Sequence, residues 1–428
     1  MKALISTNRE RRTRQAFLVG VELKNADDFA ARDSLAELAQ LVTTAGARVV
    51  GDAVQRLKSP VASTFIGSGK AAALAETCRA QKVDTVVFDN ELSPAQARNL
   101  EKAFGCKILD RTEVILDIFA RRARTREGKL QVELAQLDHL LPRLTRYWTH
   151  LSRQRGSLGA IGGEGESQLE ADRRRVQERI DKLRVELVEV RRQRTTQRQG
   201  RQRRQWPLAS IVGYTNAGKS TLFNALTSAG VLEEDKLFAT LDPTTRRLRL
   251  ATNQNVLLSD TVGFIRRLPH QLVEAFKATL EEVINADLLL HVVDVSHPQA
   301  EQQIEAVNRV LAEIGAGDKP VLIVFNKLDL LEKGEGLNGW RARHPDAVAV
   351  SARTQAGFPE LLTALGNTLR PIRDFVELVI PHDAAGAVSR LHEVGQIVER
   401  EYSGTAARFK ARIPPHLRAE FAPFLATE

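Results

Sequence analysis

Residues 213–220 read Gly213-Tyr214-Thr215-Asn216-Ala217-Gly218-Lys219-Ser220, with Thr221 next, and match the phosphate-binding pattern G-x-x-x-x-G-K-[ST]. An apolar run at 208–212 predicts a buried parallel strand, and residues 221–226 continue as a helix. Backbone N–H groups of such a turn converge on phosphate oxygens, and the N-terminus of the helix favours an anion. The stretch therefore predicts a strand–loop–helix unit that binds a nucleotide, with Lys219 on the β- and γ-phosphates and Ser220 on Mg²⁺.

Further segments follow in the order that a GTPase requires. Thr240 is placed to give Mg²⁺ a second hydroxyl, so the predicted metal ligands are Ser220 and Thr240. Asp260 follows a strand at 256–259 and is expected in the Mg²⁺ shell, while the Gly263 N–H senses the γ-phosphate. The predicted catalytic residues are therefore Lys219, Thr240 and Gly263.

The base is predicted from a segment that follows the strand at 321–325. Asp329 can accept hydrogen bonds from guanine N1–H and the exocyclic amine, a donor pair that adenine lacks, so GTP is favoured over ATP. Ser351 and Ala352 follow another short strand, and their backbone is expected at guanine O6. Outside the phosphate loop, the predicted nucleotide-binding residues are Phe238, Ala239, Thr240, Leu241, Asp242, Asp260, Thr261, Val262, Gly263, Asn326, Lys327, Leu328, Asp329, Ser351, Ala352 and Arg353.

Two residues qualify the hydrolytic mechanism. Phe264 stands where many GTPases have a glutamine that orients water, and phenylalanine cannot hydrogen-bond water. Intrinsic GTP hydrolysis is then expected to be slow, to use another group to orient the water, or to require stimulation by a partner. The alternative is that Phe264 is only a packing residue and that hydrolysis is vestigial. Asn216 either helps to bind a monovalent cation such as K⁺ or serves a structural turn.

Composition indicates a multidomain protein of a reducing compartment. A chain of 428 residues accommodates two or three domains, and its 43% hydrophobic residues support real cores. Cys78 and Cys106 have no zinc-like spacing, which disfavours a disulfide framework. No apolar run is long enough to span a membrane, and residues 1–12 lack a signal-peptide core, so the expected location is the cytoplasm.

The positive charge is concentrated in one segment. Residues 121–206 contain 22 Lys/Arg and 11 Asp/Glu, a net charge of +11, whereas the whole chain carries +9. Leucine and valine spacing predicts long helices at 111–141 and 167–199 that pair as an antiparallel coiled-coil hairpin. Residues 142–166 are expected to avoid helix and to form a basic, aromatic, Gly-rich tip suited to unpaired RNA; a disordered loop without a partner is the alternative.

The predicted fold class is α/β and multidomain. The N-terminal part alternates strands and helices, which indicates a mostly parallel sheet. The predicted domains are an α/β domain at 1–110, the helical hairpin at 111–200, a linker at 201–206, a P-loop GTPase domain at 207–371 and a small α+β domain at 372–428.

Together with the GTPase segments, three N-terminal signatures resemble the HflX family of translation-associated GTPases over nearly the whole chain. They are Asp110-Arg111-Thr112-Glu113, the run at 127–137, and Gly162-Gly163-Glu164-Gly165-Glu166-Ser167. The family usually has Pro at the place of Glu164 and Thr at that of Ser167. The resemblance implies a GTP-dependent factor that binds the large ribosomal subunit and helps to split stalled or idle ribosomes, with its tip on ribosomal RNA near the peptidyl-transferase region.

Other functional classes stay open at this level. The protein is expected to be monomeric off the ribosome. A GTP-binding scaffold or sensor with little turnover would use the coiled coil to hold a protein partner, and Phe264 favours it. A nucleic-acid remodelling ATPase shares the phosphate loop but conflicts with Asp329.

Overall fold

The protein was analysed as a computed structural model that describes residues 13–23, 31–147, 164–202, 206–227, 237–250, 254–266, 277–331, 337–369 and 373–426. The chain divides into two compact units, and the boundary falls between Val188 and Glu189. A short segment that ends at Phe238 belongs to the first unit. None of the helices in the described ranges is long and apolar enough to cross a membrane.

The first unit is built on a parallel four-stranded sheet. The strands are β1 (Arg14–Leu23), β2 (Ala47–Leu57), β3 (Thr85–Phe88) and β4 (Lys107–Asp110), in the order β2-β1-β3-β4. The helices between them are α1 (Ala31–Thr44), α2 (Ser68–Ala80) and α3 (Pro94–Phe104). Phe88, Leu100 and Phe104 are fully buried members of its core. The predicted parallel α/β architecture of this region is confirmed, because hydrophobic strands buried on both faces pair in parallel when helices connect them.

Helix starts in this unit are specified by short-range sequence. Ser93 caps α3, and its hydroxyl accepts the Gln96 N–H at 3.3 Å, while the Gln96 side chain accepts the Ser93 N–H at 2.9 Å. Asp110 and Glu113 form the same reciprocal cap at the start of the next helix, α4 (Arg111–Arg122). Each cap satisfies backbone donors that no helical carbonyl can reach.

The prediction of one helix over 111–141 is wrong, because the chain forms α4 and then α5 (Arg126–Tyr147). Ala123 has an extended backbone that ends α4, and the Thr125 hydroxyl accepts the Gly128 N–H at 3.0 Å as α5 begins. The spacing of apolar residues does not reveal such a break, because the helix before the break and the helix after it each have a buried apolar face.

The prediction that residues 142–166 avoid helix is also wrong at both ends. α5 continues through Pro142 to Tyr147, and α6 (Glu164–Gln202) begins at Glu164. Proline removes one helical hydrogen bond, but the next residue, Arg143, is tied to the Asp110 carboxylate at 2.7 Å and to Glu113, which holds this turn in place. The central part of the predicted tip, 148–163, lies outside the described residues.

Within the first unit, α5 and α6 pack side by side. Both guanidinium donors of Arg179 on α6 bind the Glu133 carboxylate of α5 at 2.9 Å. Leu130 and Leu137 of α5 are buried, as are Ile180 and Leu183 of α6, whereas Val185 is exposed. These four buried residues belong to the predicted apolar seams, the helix limits differ from the prediction, and the coiled-coil hairpin stays a prediction.

The second unit contains a six-stranded sheet in which only β6 is antiparallel to its neighbour. In chain order its strands are β5 (Leu208–Gly213), β6 (Thr244–Arg249), β7 (Asn255–Asp260), β8 (Leu288–Asp294), β9 (Val321–Asn326) and β10 (Val348–Ala349). The spatial order is β10-β9-β8-β5-β7-β6. The helices are α7 (Lys219–Thr227), α8 (Lys277–Ile284), α9 (Ala300–Glu313), α10 (Leu337–Arg343) and α11 (Phe358–Thr368). Because β5, β7, β8 and β9 are parallel, their carboxyl ends meet at one edge of the sheet, where ligands of such folds bind.

The C-terminal part of the second unit is a small antiparallel sheet with one helix. β11 (Asp374–Pro381), α12 (Ala385–Val394), β12 (Gln396–Ser403) and β13 (Ala406–Ile413) follow in chain order, and the strands lie in the order β11-β13-β12. β12 and β13 form a hairpin that turns after Ser403. Alternate residues of β11, such as Leu378 and Ile380, are buried, as expected for a sheet with one covered face.

Candidate nucleotide-binding site

The phosphate loop joins β5 to α7 through a backbone that requires glycine at two positions. Gly213 has φ 147°, and a Cβ built there would lie 2.3 Å from the carbonyl oxygen of Val292. Gly218 has φ 90°, and a Cβ there would lie 2.2 Å from Nδ2 of Asn326. The glycines of the sequence pattern therefore allow this loop to pack against β8 and against the end of β9.

Lys219 stands at the first position of α7 with its amine inside the loop. Its Nζ donates to the carbonyl oxygen of Tyr214 at 2.7 Å. Burial lowers the pKa of Lys219 to about 8, and the nearby Asp260 carboxylate opposes this effect. A phosphate group would supply the negative charge that this buried amine needs.

Three oxygen-bearing side chains converge beside Lys219. The hydroxyl of Ser220 donates to Oδ2 of Asp260 at 2.8 Å, and that of Thr240 donates to the same oxygen at 2.9 Å. The two hydroxyl oxygens are 2.9 Å apart. Burial raises the pKa of Asp260, while its bond from Ser220 and the charge of Lys219 lower it. The structure thus brings together the residues predicted to hold Mg²⁺.

This set fits a hard divalent cation. Oδ1 of Asp260 is buried and has no hydrogen-bond partner, so the carboxylate keeps an unused acceptor. Hydroxyl and carboxylate oxygens are the ligands that Mg²⁺ takes, and it usually keeps several waters. Groups of three or more His, Cys, Asp or Glu side chains able to hold a metal do not occur among the described residues, so a cation here relies on hydroxyls.

Residues 263 and 264 close against the phosphate loop through their backbone. The Thr215 N–H donates to the carbonyl oxygen of Phe264 at 2.8 Å, and the Phe264 N–H donates to that of Gly213 at 3.1 Å. A Cβ built on Gly263 would lie 2.8 Å from Nζ of Lys219. The Phe264 side chain is 1% exposed, so it is buried as well as apolar. Its side chain therefore has no way to orient water.

Asn326 connects the predicted base-binding segments to the phosphate loop. Its Nδ2 donates to the carbonyl oxygen of Ala217 at 2.8 Å, and its Oδ1 accepts the Ala352 N–H at 2.9 Å. The Ser351 hydroxyl donates to Oδ1 of Asp329 at 2.6 Å, which orients that exposed carboxylate. These contacts hold the two base-binding loops at the same edge of the sheet as the phosphate loop.

Several residues of the predicted binding set have side chains that are engaged within the protein. The Thr261 hydroxyl is buried and donates to the carbonyl oxygen of Ile211 at 2.6 Å, which links β5 to the residue after β7. Phe238 is buried in the first unit, where its ring meets that of Phe119 with centroids 4.7 Å apart. Leu241 and Val262 are likewise buried apolar residues.

Two polar residues of β8, the strand next to β5, were absent from the predicted site. Oδ2 of Asp294, at the end of that strand, binds Nζ of Lys327 at 2.7 Å and fixes the lysine, whose backbone is left-handed at φ 66°. His291 lies inside the strand, and burial together with the charge of Lys219 lowers its pKa to about 4. Asp294 could have been identified, because a polar residue that ends a buried parallel strand lies at the binding edge.

Comparisons with known proteins identify the family of this chain. Family models described as GTP-binding GTPase N-terminal, GTP-binding GTPase middle region and 50S ribosome-binding GTPase match residues 32–120, 122–201 and 209–327. GTPase HflX of Escherichia coli K12 is 47% identical over 389 residues, which are 91% of this chain and 90% of that protein. GTPase HflX of Lacrimispora saccharolytica is 46% identical over 402 residues, 94% of each chain.

A solved structure of a GTP-binding protein from Sulfolobus solfataricus, in complex with GDP, has 25% sequence identity to this chain and a TM-score of 0.45. The alignment covers 83% of this chain and 98% of that protein. The two bacterial relatives match nearly end to end, and the family models cover the N-terminal, middle and GTPase regions. The chain therefore belongs to the HflX family of GTPases, enzymes that bind and hydrolyse GTP.

Proposed function

We propose that this GTPase binds the large ribosomal subunit, that the subunit stimulates its hydrolysis of GTP, and that it acts in the dissociation or rescue of stalled or idle ribosomes. The burial of Phe264 carries the proposal, because the position where many GTPases have a water-orienting glutamine holds a buried apolar ring. The match of residues 209–327 to 50S ribosome-binding GTPases supports the choice of partner.

The nucleotide chemistry is assigned to residues that the structure brings together. Lys219 holds the β- and γ-phosphates, and Ser220 and Thr240 hold Mg²⁺ with Asp260 behind them. Mg²⁺, when bound, neutralises charge on the phosphates. Asn216, which is exposed and has a left-handed backbone at φ 61°, is proposed to help bind K⁺.

GTP and GDP are proposed to differ in the protein groups that they contact. The N–H groups of Thr240 and Gly263 are proposed to contact the γ-phosphate, which only GTP has, whereas the base contacts of Asp329 are shared by both nucleotides. A ligand shifts a conformational equilibrium only by its difference in affinity for the two states. Tight subunit binding is therefore assigned to the GTP state, and hydrolysis releases it.

The domains predicted from the sequence are retained in this proposal. The α/β domain is placed at 1–110, the helical hairpin at 111–200, the linker at 201–206, the GTPase domain at 207–371 and the small domain at 372–428. The +11 charge of residues 121–206 supports an RNA partner, because phosphate neutralisation dominates such binding. The basic tip is proposed to contact ribosomal RNA.

Co-sedimentation and hydrolysis assays test the proposal. Large subunits should retain the protein with a non-hydrolysable GTP analogue and release it with GDP, and they should raise the hydrolysis rate. Deletion of residues 148–163 should abolish subunit binding but leave GDP affinity unchanged. Equal retention in both nucleotide states and no stimulation would instead support a GTP-binding scaffold for a protein partner, which the buried Phe264 also allows.

A further inference from the structure

Thr215 carries a buried hydroxyl that the site does not otherwise use. The residue is 5% exposed, and its Oγ1 has no hydrogen-bond partner. An unpaired hydroxyl away from water costs stability, so buried hydroxyls in native proteins almost always have a partner. The missing partner is therefore expected in a ligand or a water that arrives with the ligand.

The side chain of Thr215 lies beside the groups that are assigned to the γ-phosphate. A Cβ built on Gly263 would lie 2.8 Å from Cγ2 of Thr215 and 2.8 Å from Nζ of Lys219. The methyl carbon is the atom that faces Gly263, and Oγ1 is bonded to the same Cβ atom as this methyl carbon. The Thr215 side chain therefore adjoins the two groups assigned to the γ-phosphate, the Lys219 amine and the Gly263 backbone.

Among the described residues, four neighbouring side chains are not free to orient water. Phe264 has no polar side-chain atom and is buried, and its carbonyl oxygen accepts the Thr215 N–H at 2.8 Å. The Thr261 hydroxyl is engaged by the carbonyl oxygen of Ile211 at 2.6 Å. The hydroxyls of Ser220 and Thr240 are bound to Asp260 on the metal side.

We propose that the Thr215 hydroxyl is a catalytic residue that accepts a hydrogen bond from the attacking water and directs its oxygen at the γ-phosphorus. A bond forms between this oxygen and phosphorus, and the bond between phosphorus and the β–γ bridging oxygen breaks. The bridging electrons stay on GDP, and both water protons leave on the released phosphate. Thr215 itself keeps its proton, so it positions the nucleophile without acting as a base.

Two substitutions of Thr215 separate this role from a structural one. Thr215→Val has nearly the same shape without the hydroxyl, and Thr215→Ser keeps the hydroxyl without the methyl group. Thr227→Val is a matched control at the end of α7, where the hydroxyl donates to the carbonyl oxygen of Phe223 at 2.7 Å. All three variants should be purified as the full chain and assayed with and without large subunits.

For Thr215→Val we expect kcat for GTP to fall by between about tenfold and a hundredfold, the loss of one oriented hydrogen bond. Affinities for GDP and a non-hydrolysable GTP analogue should stay within about twofold. Thr215→Ser should restore most of kcat. The Tm of nucleotide-free Thr215→Val should not fall, because an unpaired hydroxyl is removed, whereas Thr227→Val should lower Tm without changing kcat.

A kcat of Thr215→Val within about twofold of the natural protein would overturn the proposal. Parallel loss of GDP affinity and kcat would also overturn it, because the hydroxyl would then support the loop rather than the water. The inference concerns GTP hydrolysis itself, so the subunit-free assay tests it even if large subunits fail to stimulate the natural protein. That failure would count against the proposed function alone.

Discussion

The side-chain amide of Asn326 donates to the carbonyl oxygen of Ala217 at 2.8 Å, so the segment that precedes the predicted guanine contact is bonded to the phosphate loop. The same side chain accepts the Ala352 N–H at 2.9 Å. One buried residue at the end of β9 therefore sets the geometry of three loops.

Replacement of Asn326 by Ala should weaken GDP and GTP binding together. Two buried hydrogen bonds are lost and their backbone partners are left unpaired, which costs roughly 2–4 kcal/mol. Titration of a fluorescent GDP analogue and thermal unfolding measure the two consequences. Asn285→Ala is the control, because its amide donates to Glu281 at an exposed site and its loss should change neither value. Unchanged nucleotide affinity in Asn326→Ala would refute the role of this residue as the link.

Replacement of Asp329 by Asn should reduce the preference for guanine. Xanthine has a carbonyl where guanine has its exocyclic amine, so an asparagine amide can donate to xanthine while a carboxylate cannot. Competition of GTP, XTP and ATP for a labelled nucleotide measures the change, expected as a reversal in favour of XTP. The exposed Asp346→Asn should keep the order of the natural protein. ATP that competes as well as GTP in the natural protein would contradict guanine recognition.

Replacement of Gly263 by Ala should prevent the Gly263 N–H from contacting the γ-phosphate. The new Cβ would lie 2.8 Å from both Nζ of Lys219 and Cγ2 of Thr215, so one of these groups must move. Hydrolysis is expected to fall by at least about tenfold, with a smaller effect on GDP affinity. Gly339→Ala in α10 is the control, because its Cβ would meet open space. Normal hydrolysis by Gly263→Ala would show that this close approach is not needed.

GDP affinity should fall as pH rises through 8. Burial lowers the pKa of Lys219 to about 8 in the nucleotide-free protein, whereas phosphates hold the amine protonated in the complex. In the nucleotide-free protein the Lys219 amine thus loses its proton above pH 8, and GDP binding must restore this proton. Linkage therefore predicts that the affinity for GDP is roughly eightfold weaker at pH 9 than at pH 7.5.

Lys219→Arg provides the comparison for this titration, because arginine stays charged throughout the range. Its affinity for GDP should vary less with pH than that of the natural protein, and any titration of the nucleotide itself appears in both. Lys319→Met, at a half-buried lysine outside the phosphate loop, should follow the natural protein. Identical slopes for Lys219→Arg and the natural protein would assign the pH dependence to another group.

Much of the fold could be predicted because its signals are local. Ser93 before Pro94 is a local signal for the start of α3, because serine caps helices and proline suits the first helical position, and the apolar run before Gly213 predicted β5. The break at Ala123 and the helical Pro142 could not be predicted. Pro142 is tolerated in a turn that Arg143 secures by ion pairs to the distant Asp110 and Glu113, and such pairs are invisible to periodicity.

The sequence by itself determined that a phosphate loop follows β5 and that Phe264 lacks a polar group, because each follows from residue type at a fixed spacing. It also predicts Asp329 as the guanine contact. Only the tertiary structure decided which hydroxyls are used. Thr215 and Thr261 are chemically the same, yet Thr261 donates to Ile211 and Thr215 has no partner. Hydrogen-bond satisfaction depends on what the fold brings within about 3 Å, and spacing along the chain does not contain that information.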